Sequence, residues 1–341
     1  MISQVEVKYL NQNNYSLKWK SAKSVAIYLL PRPDEEVSEF LTETKANHAE
    51  FKITKYYRPY FLLKDEDNQI IYTNRVLPLQ GSNNFRDLGG YIGANGKRIK
   101  WGKLFRSDHL HRLTEHDKKV LDDIGIKTVI DYRSEDEYQS QPNQTWSTLQ
   151  QTVHLVPEAQ RAVLAAKAGS TKEKVRQLVQ REVDKNVKFD NSGKTMIDQG
   201  KDFVRLDENK KIYRKMLTVV LDQKNIPLDQ HCRGGKDRTG YGVALILYLL
   251  GVNMDTILED YMLTKTLRIQ RNKRRMAQYA NETSDQNVLD YLFSMLDTRS
   301  EYLEASFAEM INISGSIDSY LKNELKISKN DVDKLRNMYL E

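Results

Sequence analysis

Residues 231–240 read His-Cys-Arg-Gly-Gly-Lys-Asp-Arg-Thr-Gly, and they hold Cys232, the only cysteine in a chain of 341 residues. Arg238 follows this cysteine after five intervening residues. The spacing predicts a tight loop whose backbone N–H groups point at one centre, with a helix starting directly behind it. Such a loop is a cradle for an oxyanion.

The side chains of this loop suit attack on a phosphate group. The helix dipole, the loop N–H groups and Arg238 all favour the thiolate form of Cys232, which is the nucleophilic form. The fork of Arg238 matches two phosphoryl oxygens, while Gly234 and Gly235 let the backbone approach closely. We therefore predict hydrolysis of a phosphomonoester through a phosphocysteine intermediate.

The rest of the loop has predicted supporting roles. His231 orients the loop, and Thr239 donates a hydrogen bond to the Cys232 sulfur once the leaving group has departed. A nucleotide-binding Walker A loop is disfavoured, because that pattern needs Ser or Thr where this chain has Asp237. A buried structural cysteine is the other alternative. The predicted phosphate-binding residues are Arg233, Gly234, Gly235, Lys236 and Thr239.

The loop resembles that of the atypical bacterial tyrosine phosphatases, which reads His-Cys-x-x-Gly-Lys-Asp-Arg-Thr-Gly. The resemblance spans about residues 76–341 and implies activity on phosphotyrosine, phosphoserine, phosphothreonine or phosphoinositides, without a cofactor or a metal. It also implies supporting roles for Arg86 and Asp87. Further matching segments are Asn-Phe-Arg-Asp-Leu-Gly-Gly-Tyr at 84–91, Leu-Phe-Arg-Ser at 104–107, Thr-Val-Ile-Asp-Tyr-Arg-Ser at 128–134, Leu-Gly-Val at 250–252 and Asp-Tyr at 260–261.

One departure from the family pattern lies just before the loop. Asp229 and Gln230 stand where a buried strand would carry apolar residues, which weakens the prediction of a strand there.

Composition predicts a globular chain of two domains. Charged residues make up 29% of the sequence and hydrophobic residues 39%, and 341 residues is long for one core. No apolar run approaches the ~20 residues of a membrane span. The first ten residues have no signal-peptide core, and a lone reactive thiol favours a reducing compartment. We expect a cytoplasmic protein, with secretion the alternative if a leader has been removed.

The net charge of +6 comes from one local patch. Residues 261–281 contain six bases and no acid, which is compatible with an anionic substrate, a bound phosphate ion or an anionic lipid surface. A solvated helix face is the alternative, and we expect no nucleic-acid partner. The six bases are Lys265, Arg268, Arg271, Lys273, Arg274 and Arg275.

The N-terminal residues read as a small all-β unit. Apolar and polar residues alternate over residues 4–75 in five or six short segments separated by turn-rich breaks. The pattern predicts that residues 1–75 form a β-sandwich of fibronectin or immunoglobulin type without a disulfide. Its expected role is either packing against the phosphatase domain or binding a partner.

Residues 76–341 predict an α/β phosphatase domain with a parallel-centred sheet flanked by helices. The apolar run 126–131 reads as a central strand that delivers Asp131 to the carboxyl edge of the sheet, where ligands bind. Asp131 then either bonds the phosphate loop or Arg238, or caps the helix that begins near Ser134.

A long charged interval over about residues 157–216 is predicted to be helical. The resemblance implies a helical lid there, which would exclude water and screen substrates. Natural hinges lie at residues 169–170 and 190–193. A surface helical hairpin that never moves is the alternative.

The general acid that protonates the leaving oxygen does not come from the loop that ordinary tyrosine phosphatases use. Each tryptophan is followed by Lys20, Gly102 or Ser147, so the Trp-Pro-Asp loop of ordinary tyrosine phosphatases is absent. Asp237 is the predicted proton donor, with Asp131 the second choice and a structural role for Asp237 the alternative.

Competing interpretations remain at this point. His109, His111 and His116 match no common zinc spacing, so we expect no metal. A catalytically silent phospho-ligand module is disfavoured by the intact Cys232 and Arg238. Another thiol enzyme, such as an arsenate reductase, would need resolving cysteines that this chain lacks.

Overall fold

The computed structural model describes residues 1–35, 39–158, 171–185 and 189–341. Two antiparallel sheets come first along the chain. One has the strand order β1 (Ser3–Asn11), β2 (Asn14–Lys20), β5 (His48–Lys52), and the other has the order β4 (Glu39–Thr44), β3 (Val25–Leu30), β6 (Tyr60–Lys64), β7 (Gln69–Tyr72).

Alternation of apolar side chains builds these two sheets. In β2, Tyr15, Leu17 and Trp19 are buried, and in β6 Phe61 and Leu63 point to the same core. Because successive strand residues face opposite sides, each sheet offers one apolar face, and the two faces share a single hydrophobic cluster. The N-terminal sheets therefore bury a core of their own.

The sequence analysis missed one strand of this region. The described chain has seven strands here rather than the predicted five or six, and the unpredicted one is β4. Its side chains are all exposed or only half-buried, since it lies at the edge of its sheet. An edge strand without a buried face shows no apolar alternation, so the pattern could not reveal it.

A five-stranded sheet lies at the centre of the remaining chain, which is mixed α/β. Its order is β11-β10-β12-β9-β8, and the first four strands are parallel. Parallel strands end at one edge, so Asp131, His231 and Ser107 come together there. The strands are β8 (Arg86–Asp87), β9 (Leu104–Ser107), β10 (Thr128–Asp131), β11 (Gln151–His154) and β12 (Leu228–His231).

Helices cover this sheet. Two of them begin in capping boxes, at Thr114 and Ser328, where each hydroxyl accepts a hydrogen bond from the backbone N–H three residues on. The described helices are α1 (Glu115–Ile124), α2 (Glu135–Ser140), α3 (Thr171–Lys185), α4 (Lys194–Arg205), α5 (Asp207–Val220), α6 (Asp237–Leu249), α7 (Met254–Leu267), α8 (Ile269–Ala280), α9 (Gln286–Leu296), α10 (Ser300–Ser314), α11 (Ile317–Asn323) and α12 (Lys329–Tyr339).

The polar residues of β12 do not prevent a central strand. Ser107 donates a hydrogen bond of 2.7 Å to Asp229, and the Tyr132 hydroxyl donates one of 2.9 Å to Gln230. Buried polar groups are tolerated where a partner is supplied. The doubt that the sequence raised about this strand is therefore resolved by its neighbours in the sheet.

Part of the interval predicted as a lid contributes to the core. Helices α4 and α5 bury Phe203, Val204, Met216 and Leu217 in the main core of the α/β region. Residues 194–216 are therefore core elements, because a moving lid would have to uncover these side chains.

The earlier part of that interval is different. The hinge predicted at residues 169–170 lies outside the described residues, whereas the second hinge ends in Gly193, the N-cap of α4. Helix α3 packs Val175 against Tyr279 of α8 and Leu292 of α9. Within the described part of the interval, α3 stays a candidate for the lid.

A buried ion pair joins the N-terminal sheets to the α/β region. Arg58, which is 2% exposed, lies 2.8 Å from the carboxylate of Asp87, which is fully buried. The same carboxylate accepts hydrogen bonds from the backbone of Gly89 and Gly102. The Trp101 indole donates to a carbonyl of β7 at 3.1 Å, so the contact surface is both ionic and packed.

We predict that Arg58→Met destabilises the fold by about 3–5 kcal/mol, because it leaves the Asp87 carboxylate buried without its ion pair. Adding Asp87→Asn removes the stranded charge, so the double variant should lose less than the two single variants together. Urea unfolding measures both quantities. Lys103→Met, which breaks a more exposed pair with Asp34, is the control and should cost less than about 1 kcal/mol. Equal losses for Arg58→Met and the control would contradict the prediction.

Candidate active site

The predicted loop lies between β12 and α6. Cys232 follows the last residue of the strand and is 3% exposed. Gly235 has a positive φ of 61°, and a Cβ there would lie 2.2 Å from the carbonyl oxygen of Ser107. Glycine is therefore required at this position both by the backbone conformation and by the close approach of β9.

The outer side of the loop is hydrogen-bonded to two side chains from other segments, Asn84 and Arg106. Asn84 Nδ2 donates to the carbonyl oxygens of Gly234 and Gly235, each at 3.2 Å, and Arg106 Nη2 donates to that of Gly235 at 2.7 Å. In a trans peptide the N–H points opposite to the C=O. Holding these carbonyls outward therefore turns the next N–H groups, those of Gly235 and Lys236, toward the inner side of the loop.

Asp260 anchors the two arginines behind the loop. Its carboxylate pairs with Arg86 Nε at 3.0 Å and with Arg106 Nη1 at 2.6 Å, and all three residues are buried. Burial alone would raise the pKa of Asp260, but the two guanidinium groups outweigh it and lower that pKa. Arg86 therefore supports the loop from behind. It does not line the catalytic pocket.

A carboxylate holds Arg238 in place. Glu137 accepts hydrogen bonds of 2.7 and 3.1 Å from Arg238 Nη1 and Nη2, and the carbonyl of Tyr132 accepts a further one of 3.0 Å. Burial opposes the charge of Arg238, yet the nearby Cys232 and Glu137 raise its pKa above the ordinary value. Both partners lie close to the predicted strand end at Asp131.

Sequence reasoning did not identify Glu137. The signal was present, because Ser134 begins α2 and Glu137 stands three residues later, as in a capping box. The Ser134 backbone N–H donates to Glu137 at 2.9 Å, so one carboxylate caps the helix and holds the arginine. The cap was predicted near Ser134, but Glu137 provides it and Asp131 does not.

A pocket of about 90 Å³ is lined by every loop residue from Cys232 to Arg238 except Gly235. Asp237 lies at its wall with its side chain 18% exposed, 3.6 Å from Lys236 Nζ. Lys236 itself is buried and donates hydrogen bonds of 2.7 Å to the carbonyl oxygens of Met295 and Asp297. Arg233 and Gly234 complete this part of the wall.

His231 and Thr239 flank the nucleophile on either side. The Nδ1 atom of His231 lies 3.1 Å from the Cys232 carbonyl oxygen, and its Nε2 lies 3.0 Å from Asn143 Nδ2. Burial lowers the pKa of His231, so the ring is a neutral tether for the loop. Within the described chain the buried Thr239 hydroxyl has no hydrogen-bond partner, so its predicted bond to Cys232 is not formed here.

Asp131 is placed differently from the prediction. Its carboxylate accepts from Arg133 Nε and Nη2, at 2.7 to 3.1 Å, and from Asn143 at 3.2 Å. Its described hydrogen bonds do not include Arg238 or the backbone of residues 232–238, and its Oδ2 lies 3.6 Å from Nε2 of His231, which precedes Cys232. Burial acts to raise its pKa, but His231 and Arg133 lower the pKa to about 2. Asp131 is therefore an anion of the strand edge that orients neighbouring side chains.

The remaining predicted residues separate into two groups. Asp87 lies outside the catalytic pocket, where it holds Gly89, Gly102 and Arg58. Of the basic patch, Arg268, Arg271 and Arg275 line the catalytic pocket. A Cβ at residue 234 would lie 2.7 Å from Arg268 Nη1, so Gly234 allows this arginine to approach the loop.

Two other bases of the patch, Lys265 and Lys273, lie outside the lining of the catalytic pocket. Lys265 lies 3.2 Å from Asp297, and Lys273 is exposed. Neither lysine is among the residues that line that pocket. The patch is thus partly a solvated face and partly a wall of the pocket.

Comparison with known proteins agrees with this arrangement. A sequence model described as the tyrosine phosphatase family matches residues 77–341, which is most of the chain. The chain belongs to this family.

Two curated relatives are similar to this chain, and the similarity covers most of the length of each relative. A Cupriavidus necator protein assigned by name to the tyrosine-protein phosphatases is 29% identical over 258 residues, covering 75% of this chain and 85% of the relative. The triple specificity protein phosphatase PtpB of Mycobacterium tuberculosis is 26% identical over 283 residues, covering 78% of this chain and 99% of the relative. Each is similar to this tyrosine phosphatase family member over about three quarters of its length.

Two further observations concern a metal site and a membrane span. Among the described residues, no three His, Cys, Asp or Glu side chains are grouped so that they could hold a metal ion. His109 and His111 instead lie against each other, with ring centroids 4.1 Å apart. None of the helices in the described ranges combines the length and apolar character that a membrane span needs.

Asp229, beneath the loop, should make stability depend on pH. Burial raises its pKa to about 7, whereas an unfolded Asp has a pKa of about 4. Between about pH 4 and pH 7 the folded state binds a proton that the unfolded state has released, so this residue lowers the free energy of unfolding as pH rises. Asp229→Asn removes the effect. Across this window the free energy of unfolding of the variant should rise relative to that of the wild type, by an amount on the order of a few kcal/mol.

Urea unfolding at about pH 5, 6.5 and 8 measures this difference directly. The gain should level off above about pH 7, where Asp229 is charged in both states. A difference between variant and wild type that stays constant over the range would contradict the assignment.

Proposed function

We propose that this chain is a phosphatase that hydrolyses phosphomonoesters through a phosphocysteine on Cys232. The observation that carries the proposal is that Cys232 and Arg238 line one pocket while both oxygens of Glu137 hold Arg238. A guanidinium that is fixed in advance loses little freedom when it binds phosphoryl oxygens. The geometry thus supports capture of a phosphate directly over the thiol.

The proposed reaction has two displacements. The Cys232 thiolate forms an S–P bond as the bond from phosphorus to the ester oxygen breaks, and Asp237 gives its proton to the departing oxygen. Water then attacks phosphorus while Asp237 takes up a proton. The S–P bond breaks, which releases inorganic phosphate and restores the thiolate. The inward N–H groups of Gly235 and Lys236 and the charge of Arg238 stabilise the transferred phosphoryl group in both steps.

Asp237 suits the role of proton donor better than Asp131. It lines the catalytic pocket and is partly exposed, so a leaving group can reach it. Asp131 is fully buried, and a carboxyl whose pKa is lowered to about 2 holds no proton at neutral pH. The alternative of a structural role for Asp237 is weakened, because Lys236 is already held by two backbone carbonyls.

Thr239 has a role that fits the second displacement. Its hydroxyl is buried and, among described atoms, lacks a hydrogen-bond partner, which is costly in a folded protein. The sulfur of Cys232 becomes an anion again when phosphate leaves. We infer that the hydroxyl then donates to this sulfur and stabilises the leaving thiolate.

The walls of the pocket favour an aryl phosphate. Tyr279, Met295 and Leu296 lie beside the phosphate loop and offer apolar surface for a ring. We therefore favour a protein tyrosine phosphatase of broad specificity. Phosphoinositides are the alternative, supported by Arg268, Arg271 and Arg275 in the same wall. A catalytically silent module is disfavoured by the intact nucleophile and its arginine.

The remaining proposals concern the surroundings of this site. Residues 1–75 form a β-sandwich domain of fibronectin type whose role is to pack against the catalytic region, as their own core and the Arg58–Asp87 pair suggest. Helix α3, which packs on the pocket residue Tyr279, is the proposed lid. We also propose a cytoplasmic location, since a reactive thiol is safest in a reducing compartment.

Cys232→Ser and Arg238→Ala should each abolish hydrolysis of para-nitrophenyl phosphate, because one removes the nucleophile and the other the charge that balances the phosphoryl oxygens. Steady-state kinetics beside wild type measures this, with circular dichroism to confirm folding. Cys232→Ser should still bind vanadate, since the backbone cradle remains. Turnover within about tenfold of wild type in either folded variant would exclude the mechanism.

Asp237→Asn should lower turnover by roughly 10²–10⁴ on alkyl or phenyl phosphates, whose leaving oxygens need a proton. The loss should be smaller on para-nitrophenyl phosphate, because this leaving group departs without protonation. The contrast between the two substrates is the measurement. Equal losses would assign Asp237 to the structure of the loop instead of to proton transfer.

A further inference from the structure

Arg268 lies beside the phosphate loop, at the junction between α7 and α8. It follows Leu267, the last residue of α7, and precedes Ile269, the first residue of α8. It lines the catalytic pocket together with Cys232 and Arg238, and only 6% of its surface is exposed. The reaction proposed above gives this buried cation no role, although it lies in the wall around the reacting groups.

The helix that carries Arg268 also holds the loop. Asp260, Thr264 and Arg268 are spaced four residues apart, so they lie on one side of α7. Asp260 pairs with Arg86 and Arg106, and the Thr264 hydroxyl accepts a hydrogen bond of 3.2 Å from Arg86 Nη2. The Arg268 backbone N–H donates to the Thr264 carbonyl oxygen at 3.1 Å. The position of Arg268 is therefore fixed relative to the loop.

The guanidinium group of Arg268 lies flat over Gly234. A Cβ added to this glycine would lie 2.7 Å from Nη1 of Arg268 and 2.9 Å from both Cζ and Nη2. Gly234 is not among the described glycines with a positive φ, so its backbone does not require glycine. What the missing side chain provides is space for the guanidinium group.

The side chain of Arg268 lacks acceptors within the protein as described. Its Nε atom is buried and has no hydrogen-bond partner among the described residues. No ion pair between described residues includes this arginine. A buried donor without an acceptor is costly, and in the wall of a pocket it indicates that a ligand supplies the acceptor.

Arg238 has few donors left for the substrate. Hydrogen bonds to Tyr132 and to both oxygens of Glu137 occupy three of its N–H groups. A guanidinium group has five N–H donors, so two remain. The phosphoryl group that is transferred spreads its charge over three equatorial oxygens. A second guanidinium group would therefore add donors where Arg238 has none to spare.

The charges around the catalytic pocket favour such a contact. In the described chain six bases line this pocket, and Asp237 is the one acid among its lining residues. Burial lowers the pKa of Lys236, and the charge of Arg268 lowers it further. Burial and Arg268 act in the same direction on Arg271, whose pKa falls to about 9. Cations that repel one another in this way are stabilised by an anion placed between them.

We propose that Arg268 is a second catalytic arginine, which donates hydrogen bonds to the phosphoryl group held over Cys232. This inference rests on the proposed function, because the phosphoryl group has to occupy the loop. The contact is made in both displacements, so Arg268 stabilises charge and exchanges no proton or bond. Glu137 fixes Arg238 for this task, whereas the space above Gly234 admits Arg268.

Kinetics on a small substrate provides the first test. Arg268→Ala should lower kcat/KM for para-nitrophenyl phosphate roughly 10–100-fold, because one or two hydrogen bonds to a charged group are lost. Arg268→Lys keeps the charge but not the fork, so its loss should be smaller. Lys273→Ala removes an exposed base of α8 that does not line the pocket. This control should keep the activity of wild type.

A variant of the loop tests the same contact from the other side. Gly234→Ala places a methyl group where the guanidinium group lies, so it should lose about as much activity as Arg268→Ala. The double variant should then lose no more than about threefold beyond either single variant. If Arg268 served only the stability of the fold, the two losses would multiply, and that outcome would overturn the proposal.

Binding of vanadate separates this inference from the proposed function. Measured by calorimetry, Cys232→Ser protein should bind vanadate roughly 10-fold or more tightly than Cys232→Ser/Arg268→Ala protein. A wild type that is inactive on aryl phosphates would overturn the proposed function, and this titration would still decide whether Arg268 contacts the oxyanion. Equal vanadate affinities would overturn the inference, as would activity of Arg268→Ala within about threefold of wild type. If Arg268→Ala does not fold, Arg268→Lys and Gly234→Ala in the Cys232→Ser protein give the same comparison.

Discussion

The carboxylate of Asp260 is the point on which the phosphate loop depends. It pairs with Arg86 and Arg106, and Arg106 in turn holds the carbonyl oxygen of Gly235. Three buried charged side chains are stable only when each one is paired and hydrogen-bonded. Removing one partner leaves a buried charge without its counter-ion, at a cost of about 3–5 kcal/mol. The network is therefore rigid, and its rigidity passes to the backbone that faces the substrate.

Arginines are used in two distinct ways around this site. Arg238 has a carboxylate partner in Glu137, so its position is fixed before any ligand arrives. In the described structure Arg112 and Arg274 have no such partner and lie on more open surface. Pairing fixes the position of a charge for catalysis, whereas a charge without a protein counter-ion gains most from an incoming anion. The difference is between a guanidinium that the protein holds in place and guanidinium groups that lie on exposed surface.

The loop between β12 and α6 could be located from the sequence, whereas several elements around it could not. The spacing of Cys232 and Arg238 is local, so it was readable from ten residues and the strand and helix around it follow. The role of Glu137 depends on a contact across 101 residues, which no local pattern reports, although its helix cap was visible. Helices α4 and α5 were assigned to a lid, since many charged residues on their outer faces hid the buried stripe of Phe203 and Met216.

Whether a strand could be predicted from the sequence depended on how much of it is buried. Those with an apolar face, such as β2 and β6, were identified, and the exposed edge strand β4 was not. The polar residues of β12 argued against a strand that does form. Ser107 and Tyr132 supply hydrogen-bond partners for these residues, and the sequence of β12 alone does not reveal them. Tertiary partners decide these cases.

The Arg58–Asp87 pair limits how freely the two parts of the chain could be exchanged in evolution. A recombination event that brought a different N-terminal unit to this α/β region would leave Asp87 buried without its cation and the indole of Trp101 without its carbonyl acceptor. A successful exchange would have to supply an arginine at a matching place, or lose the acid at the same time. The two parts therefore have separate sheets, but a change at one side of this buried ion pair requires a matching change at the other.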